Sequence, residues 1–167
     1  MVKKVHYTWK DIEHMVMSIN NLMFADNWRP DYIVGLTRGG LVPAVIMSNM
    51  TGILCHTLDV RFRDTDENYS GPESNCWMAE DAFGYEKDPK NILIIDDINR
   101  GGDAMSWIMR DWQSSCLPSN ERWDHVWHDN VRFASLLSSP NSIVDTDYWS
   151  QEFSDDEETW IQFPWET

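Results

Sequence analysis

The run Asn91-Ile92-Leu93-Ile94-Ile95 offers water no polar face, and Asp31-Tyr32-Ile33-Val34-Gly35-Leu36 is a second run of the same kind. A strand that is apolar on both sides has to be covered on both sides, which is the situation of a parallel sheet held between two layers of helices. The intervening chain fits that demand: Leu41 to Met50 reads as a helix closed near Gly52, and Ile53 to Val60 as the next strand, a βαβ rhythm. Upstream, Thr8-Trp9-Lys10-Asp11 places a hydroxyl three residues before an acid, a helix start, ahead of a stripe of Ile12, Met15, Val16, Ile19, Leu22 and Met23 that Pro30 is expected to end. Downstream, Met105, Trp107, Ile108 and Trp112 predict another helix, and Val131 to Leu137 and Ser142 to Val144 further strands. The expected fold class is therefore α/β, a mainly parallel central sheet flanked by helices, as a single domain over residues 1–167. Between Arg61 and Lys90 the chain turns polar and is broken by Gly71, Pro72, Gly84 and Pro89, which predicts an excursion with short strands, a small hood or lid. The stretch 113–130, rich in Trp, Pro and Asn from Leu117 on, reads as an insertion.

At 167 residues and 42% hydrophobic content the chain can bury one substantial core. Its formal net charge of −15 is opposite to what a reader of nucleic-acid backbones carries, so no nucleic acid is expected as a partner. No stretch approaches the ~20 apolar residues of a membrane span, and Met1 to His6 lacks the apolar core of a secretion signal, so the expected location is the cytoplasm, away from membranes. Cys55, Cys76 and Cys116 are too far apart to read as a disulfide or zinc framework and are expected as free thiols. From Asp145 to Thr167 there are eight acids and no base, yet Trp149, Phe153, Trp160, Ile161, Phe163 and Trp165 interrupt them, the pattern of a docked tail.

Sheets of this kind hold ligands over the carboxyl ends of their strands. Two polar segments fall there. Thr37-Arg38-Gly39-Gly40 follows the run ending at Leu36: paired glycines let backbone approach an anion, the arginine adds a fork of donors, and a helix amino end comes next. Asp96-Asp97 follows the run ending at Ile95, where alternation sends adjacent side chains to opposite faces, and such a pair can accept from ribose hydroxyls and bind magnesium. Each segment also has an ordinary reading, a turn in the first case and a strand end capping a helix in the second. His125-x-x-His128 lacks a third ligand nearby and reads as surface polar residues.

Taken in order, Ile33-Val34-Gly35-Leu36-Thr37-Arg38-Gly39-Gly40-Leu41-Val42-Pro43 and Ile92-Leu93-Ile94-Ile95-Asp96-Asp97 resemble the type I phosphoribosyltransferases. The opening Tyr7-Thr8-Trp9 and the close Glu158-Thr159-Trp160-Ile161-Gln162-Phe163-Pro164-Trp165-Glu166 look like the purine-salvage branch, that of the bacterial xanthine-guanine enzymes and their viral and archaeal relatives. The resemblance implies transfer of the 5-phosphoribosyl group from PRPP to a nucleobase, first of all a 6-oxopurine, giving a nucleoside monophosphate and pyrophosphate, with Mg2+ as cofactor and with homo-oligomers usual. It implies that Thr37, Arg38, Gly39 and Gly40 hold pyrophosphate across a cis Thr37–Arg38 peptide. Asp96 and Asp97 contact ribose and metal, and Asn99, Arg100, Gly101, Gly102, Asp103 and Ala104 cradle the 5′-phosphate. Trp160 stacks on the base while Ile161 reads its edge, a lid closes from about 61–90, and the segment 148–167 lies on the base side.

Two segments depart from the family pattern. Arg100 stands where the family carries its catalytic Asp, with Gly101 and Ala104 in place of threonines and Asp103 bringing negative charge beside the expected phosphate. Ser135, in Phe133-Ala134-Ser135, stands where the purine enzymes carry a lysine for the 6-oxo group, and offers a hydroxyl instead. The altered loop leaves two readings open. One is a working transferase in which backbone amides and Arg100 hold the phosphate. The other is a silent relative that binds PRPP or a nucleotide as a sensor, decoy or partner protein.

Overall fold

The computed structural model describes residues 2–60, 76–154 and 159–166. The expected lid between 61 and 75 lies outside them, as do the acids 155–158. The chain runs β1 (Lys3–His6), α1 (Trp9–Ala25), β2 (Tyr32–Leu36), α2 (Leu41–Thr51), β3 (Cys55–Leu58), α3 (Cys76–Phe83), β4 (Ile92–Asn99), α4 (Asp103–Ser115), a 3-10 turn (Glu121–His125), β5 (Val131–Ser138), β6 (Tyr148–Glu152) and β7 (Thr159–Gln162). Five strands form one parallel sheet in the order β3-β2-β4-β5-β6. A separate parallel pair joins the two ends of the chain, with Lys4 opposite Trp160 and Val5 opposite Ile161.

The two-sided apolar runs do what their composition requires. Tyr32, Val34, Leu36, Ile92 and Ile94 face α3 and α4, burying Met78, Ala82, Met105, Ile108 and Trp112. Ile33, Leu93 and Ile95 face α1 and α2, burying Ile12, Val16, Ile19, Ala44 and Met47. Successive residues thus enter opposite cores, as the period of two dictates. Helix α1 opens with the expected reciprocal cap, in which Asp11 N donates to Thr8 Oγ1 (3.1 Å) and Thr8 N to Asp11 Oδ2 (2.8 Å).

Five local expectations are corrected. α1 ends at Ala25, five residues before Pro30: Asn27 turns left-handed (φ 57°), and Trp28, donating its backbone N–H to Met23 O, swings into the core beneath Arg132. β3 is only Cys55–Leu58, an edge strand. The described part of the polar excursion is helical: α3 buries Met78, Ala79, Ala82 and Phe83, and its Asp81 accepts from Tyr32 Oη (2.9 Å) and Lys87. The stretch read as an insertion contributes to the core through Trp123, whose indole N–H donates to Cys116 O (2.8 Å). Ser142–Val144 is not a strand, because its polar groups are spent on the loop after β4, and the outer strand is instead Tyr148–Glu152. The tail docks as expected: Phe163 and Trp165 stack at 4.8 Å, with Tyr7 against Phe163. All three cysteines are free, and no described helix is long and apolar enough to cross a membrane.

Candidate active site

Because every strand of the main sheet points the same way, Leu36, Leu58, Asn99, Ser138 and Glu152 end along one rim. β2 leaves that rim through Thr37–Gly40, and the Thr37–Arg38 peptide is cis, as the resemblance implies. Thr37 is tied to the neighbouring strand end by its N–H to Leu58 O (3.0 Å) and by Oγ1 to Asp59 Oδ1 (2.8 Å). Gly40 closes the loop with its N–H on Leu36 O (2.9 Å) and begins α2 without a side-chain cap; Leu41 N–H donates to Arg38 O (3.1 Å) and Pro43 has none, which leaves Val42 as the first-turn amide for an anion. Gly39 lies so close to the acid pair that a Cβ on it would come within 1.9 Å of Asp97 Oδ2. Only glycine permits this approach.

β4 continues four residues past the apolar run, through Asn99, so Asp96 and Asp97 lie inside the strand rather than beyond it. Alternation divides them: Asp97 meets the Gly39 loop, whereas Asp96 lines a cavity of about 160 Å³ with Ile98 to Met105 at the start of α4. Asp97 N donates to Asp96 Oδ1 (2.9 Å). Burial first, then the charge of Asp97, pushes the Asp96 carboxyl well above the ordinary carboxylate range, and burial raises Asp97 as well. Two adjacent, largely enclosed carboxyls, the Asp96 charge opposed by burial and by Asp97, are a donor set suited to a hard divalent cation with oxygen ligands, so the residues fit magnesium.

Asn99, Arg100, Gly101, Gly102, Asp103 and Ala104 all line that cavity, and a second loop holds them in shape. Asn99 Nδ2 donates to Val144 O (2.9 Å), its O accepts from Ser139 N (2.8 Å), and Gly101 O accepts from Ile143 N (3.0 Å). Ser142 Oγ lies 3.0 Å from Asn99 Oδ1. Gly102 turns left-handed (φ 87°) beneath this clasp, and a Cβ there would fall 2.5 Å from Ser142 Oγ and 2.8 Å from Val144 N. Gly102 also begins α4 without a side-chain cap, with Asp103 as the acid of the first turn.

The residues expected around a base are less concentrated. Ser135 lies beside Asp96 in the β4–β5 register, but its Oγ is wholly enclosed and has no hydrogen-bond partner among the described residues. Trp160 is on the two-stranded sheet, 54% exposed, its ring 4.9 Å from Lys4 Nζ. Ile161, one residue on, turns inward to the core. His128 pairs with Asp147 at 3.0 Å, and the two histidines form no metal cluster among the described residues.

The sequence reading passed over Asp59, Ser142, Phe153 and Glu166. Asp59 sat inside an over-long predicted strand, and Ser142 inside one that does not form. Phe153 underlies Arg100, with the guanidinium carbon 5.1 Å from the ring centroid, and Glu166, which accepts from Phe163 N, adds its charge to those raising Asp97. Their only signal in the sequence was a place in the aromatic tail.

The loop after β2, the acid pair of β4 and the start of α4 thus converge on one rim of a parallel α/β sheet. Residues 2–167 match the phosphoribosyl transferase domain family, and the chain belongs to that family. It is 29% identical over 147 residues to the xanthine-guanine phosphoribosyltransferase of Cereibacter sphaeroides, covering 83% of this chain and 70% of that one. Its fold is that of the purine phosphoribosyltransferase of Pyrococcus horikoshii (TM-score 0.66, 23% identity, 98% and 95% of the two chains). It is equally that of the xanthine-guanine-hypoxanthine phosphoribosyltransferase of Helicobacter pylori (TM-score 0.69, 17% identity, 98% and 94%).

Proposed function

We propose that this phosphoribosyltransferase transfers the 5-phosphoribosyl group of PRPP to a 6-oxopurine and releases pyrophosphate. The observation that carries the reading is the contact of Gly39 with Asp97, which makes the loop after β2 and the acid pair of β4 one continuous site. The xanthine-guanine relative supports the choice of base.

In this reading Arg38 and the amide of Gly39 grip the pyrophosphate, while Thr37, tied to Leu58 O and Asp59, and Gly40, tied to Leu36 O, hold the loop in shape around it. Asp96 and Asp97 accept from the ribose hydroxyls and would also hold magnesium, which when bound offsets the charge of the leaving group. Amides from Asn99 to Ala104 and the start of α4 take the 5′-phosphate in the 160 Å³ cavity, where Asp103 works against them by like charge. Trp160 offers an exposed ring for stacking on the base, and Ile161, itself buried, contributes only backbone. Ser135, next to Asp96 in the register, is wholly enclosed and offers the base no hydroxyl. The C1′–O bond breaks with its electron pair going to pyrophosphate, a ring nitrogen forms the new C1′–N bond, and the ring proton passes to water, since no guanidinium accepts one.

The test is pyrophosphate release from PRPP and magnesium with guanine, xanthine, hypoxanthine, adenine and uracil. Release with the 6-oxopurines is expected. PRPP binding without release for any base would replace this reading with that of a silent binding protein.

A further inference from the structure

The peptide joining Gly101 to Gly102 has its two polar ends turned to different neighbours. Its C=O accepts from Ile143 N (3.0 Å), in the arch 139–144 that follows β5. A trans peptide directs its C=O and N–H oppositely, so the Gly102 N–H points away from the arch. The 160 Å³ cavity is lined by Gly101 and Gly102 and by no residue of the arch, and so lies on the side that this N–H faces. Among the described residues the Gly102 N–H makes no hydrogen bond. Two glycines in succession leave such a peptide many orientations, and α4 begins at Gly102 without a side-chain cap to restrict it. The restriction comes from the arch. Asn99, 3% exposed, spends its whole side-chain amide there: Nδ2 donates to Val144 O (2.9 Å), and the donor in reach of Oδ1 is Ser142 Oγ at 3.0 Å. Ser142 Oγ also lies 2.8 Å from Val144 O, but that carbonyl already has the Asn99 amide, whereas Asn99 Oδ1 depends on the hydroxyl proton. The same Oγ accepts from Val144 N (3.2 Å), so one hydroxyl joins the loop to the arch and shapes the arch itself. Gly102 lies against it, where a Cβ would come within 2.5 Å of Ser142 Oγ.

Resting on the transferase reading for the ligand of this cavity, we infer that Ser142 is a positioning residue of the 5′-phosphate site. It touches no ligand. Its hydroxyl holds Asn99 and Val144 in place, Ile143 N–H thereby fixes the Gly101 C=O, and the Gly102 N–H on the far side of that peptide is presented to the phosphate together with the first amides of α4. From Asn99 to Ala104 no side chain carries a hydroxyl, so recognition falls to the backbone, and the direction of its amides sets the affinity. Pyrophosphate, gripped by the loop after β2, is independent of the arch.

Ligand binding tests this without any need for turnover. The whole protein and its Ser142→Ala variant are titrated calorimetrically with GMP, AMP and UMP, which share a 5′-phosphate, and with magnesium pyrophosphate, which lacks one. Ser142→Ala is expected to weaken each nucleotide that binds by about 3- to 12-fold, the worth of one hydrogen bond, and to leave pyrophosphate within about twofold. Asn99→Ala, made from the other side of the clasp, should show the same split, and adding Ser142→Ala to it should cost less than about twofold more, because the two side chains act through one bond. Loss of stability alone would weaken both kinds of ligand alike. Nucleotides and pyrophosphate weakened equally, nucleotide affinity unchanged in Ser142→Ala, fully additive effects of the two substitutions, or no binding of any of the three nucleotides overturns the inference. The split seen in a protein that never releases pyrophosphate from PRPP sinks the transferase reading and leaves Ser142 its role at a nucleotide site. Turnover with KM for PRPP unchanged in Ser142→Ala does the reverse.

Discussion

Gly39 is the position at which one methyl group would bear most directly on the acid pair. A Cβ there falls 1.9 Å from Asp97 Oδ2, so Gly39→Ala must turn the carboxylate out of the place where it meets the loop. Losing a hydrogen bond to a charged group costs about 1.5–3 kcal/mol. We therefore expect kcat/KM for PRPP to fall by roughly 10- to 150-fold, with little change in Tm; a steady-state comparison with PRPP varied checks it, and unchanged kinetics would separate the two loops. Asp103 works in the opposite sense. Its carboxylate suits the start of α4, where an acid is worth about 0.3–1 kcal/mol, but it repels a phosphate bound at the same helix end. Asp103→Ser should lower KM for PRPP about two- to fivefold while Tm falls by about 1–4 °C. A rise in KM would mean that the carboxylate helps to hold the cradle. Both positions lie in motifs legible in the sequence. The approach of Gly39 to Asp97 was not, because the two are distant along the chain.

At the scale of elements, the link from the 3-10 turn into β5 depends on one titratable pair. His128 is left-handed (φ 65°) and faces Asp147, which also accepts from Phe133 N (2.8 Å) and so ties the approach to β6 onto β5. The hydrogen bond to Asp147 raises the His128 pKa above its ordinary value despite partial burial. A histidine whose folded pKa is raised contributes its stability in full below the unfolded value, about 6.5, and loses it as pH climbs through the folded value. His128→Gln should accordingly lower Tm at pH 5.5 and converge on the unaltered protein by pH 9. With the ring 40% exposed the pair is worth at most about 1 kcal/mol, or about 2–4 °C. Thermal melts at several pH values check this, and a gap that widened with pH would contradict it. None of this was visible at 125–128, where the histidines read as surface polar residues. The link between His128 and Asp147 spans a whole strand.

For the whole molecule the dominant long-range fact is a formal charge of −15 on 167 residues. Self-repulsion of that size destabilises a compact state and is screened by salt. Raising ionic strength from about 0.01 M to about 0.15 M shortens the screening length from about 30 Å to about 8 Å and should raise Tm by a few degrees. A fall in Tm, read by near-ultraviolet circular dichroism, would mean that attractive pairs such as Arg132–Asp26 dominate. Along the chain, the two-sided apolar runs determined a covered parallel sheet, the Thr8–Asp11 box fixed where α1 begins, and the glycines and acids at the strand ends marked the rim. These are local properties, set by side-chain period and by the needs of a helix end. Tertiary structure alone decided that α1 stops early, because Trp28 finds its place in the core only after the fold has closed. It alone enclosed Ser135 next to Asp96, made an arch of Ser142–Val144, and set Arg100 upon Phe153. Each of those outcomes depends on groups that meet across the sheet, and the sequence orders residues along the chain without saying which distant ones will share a partner, a cavity or a proton.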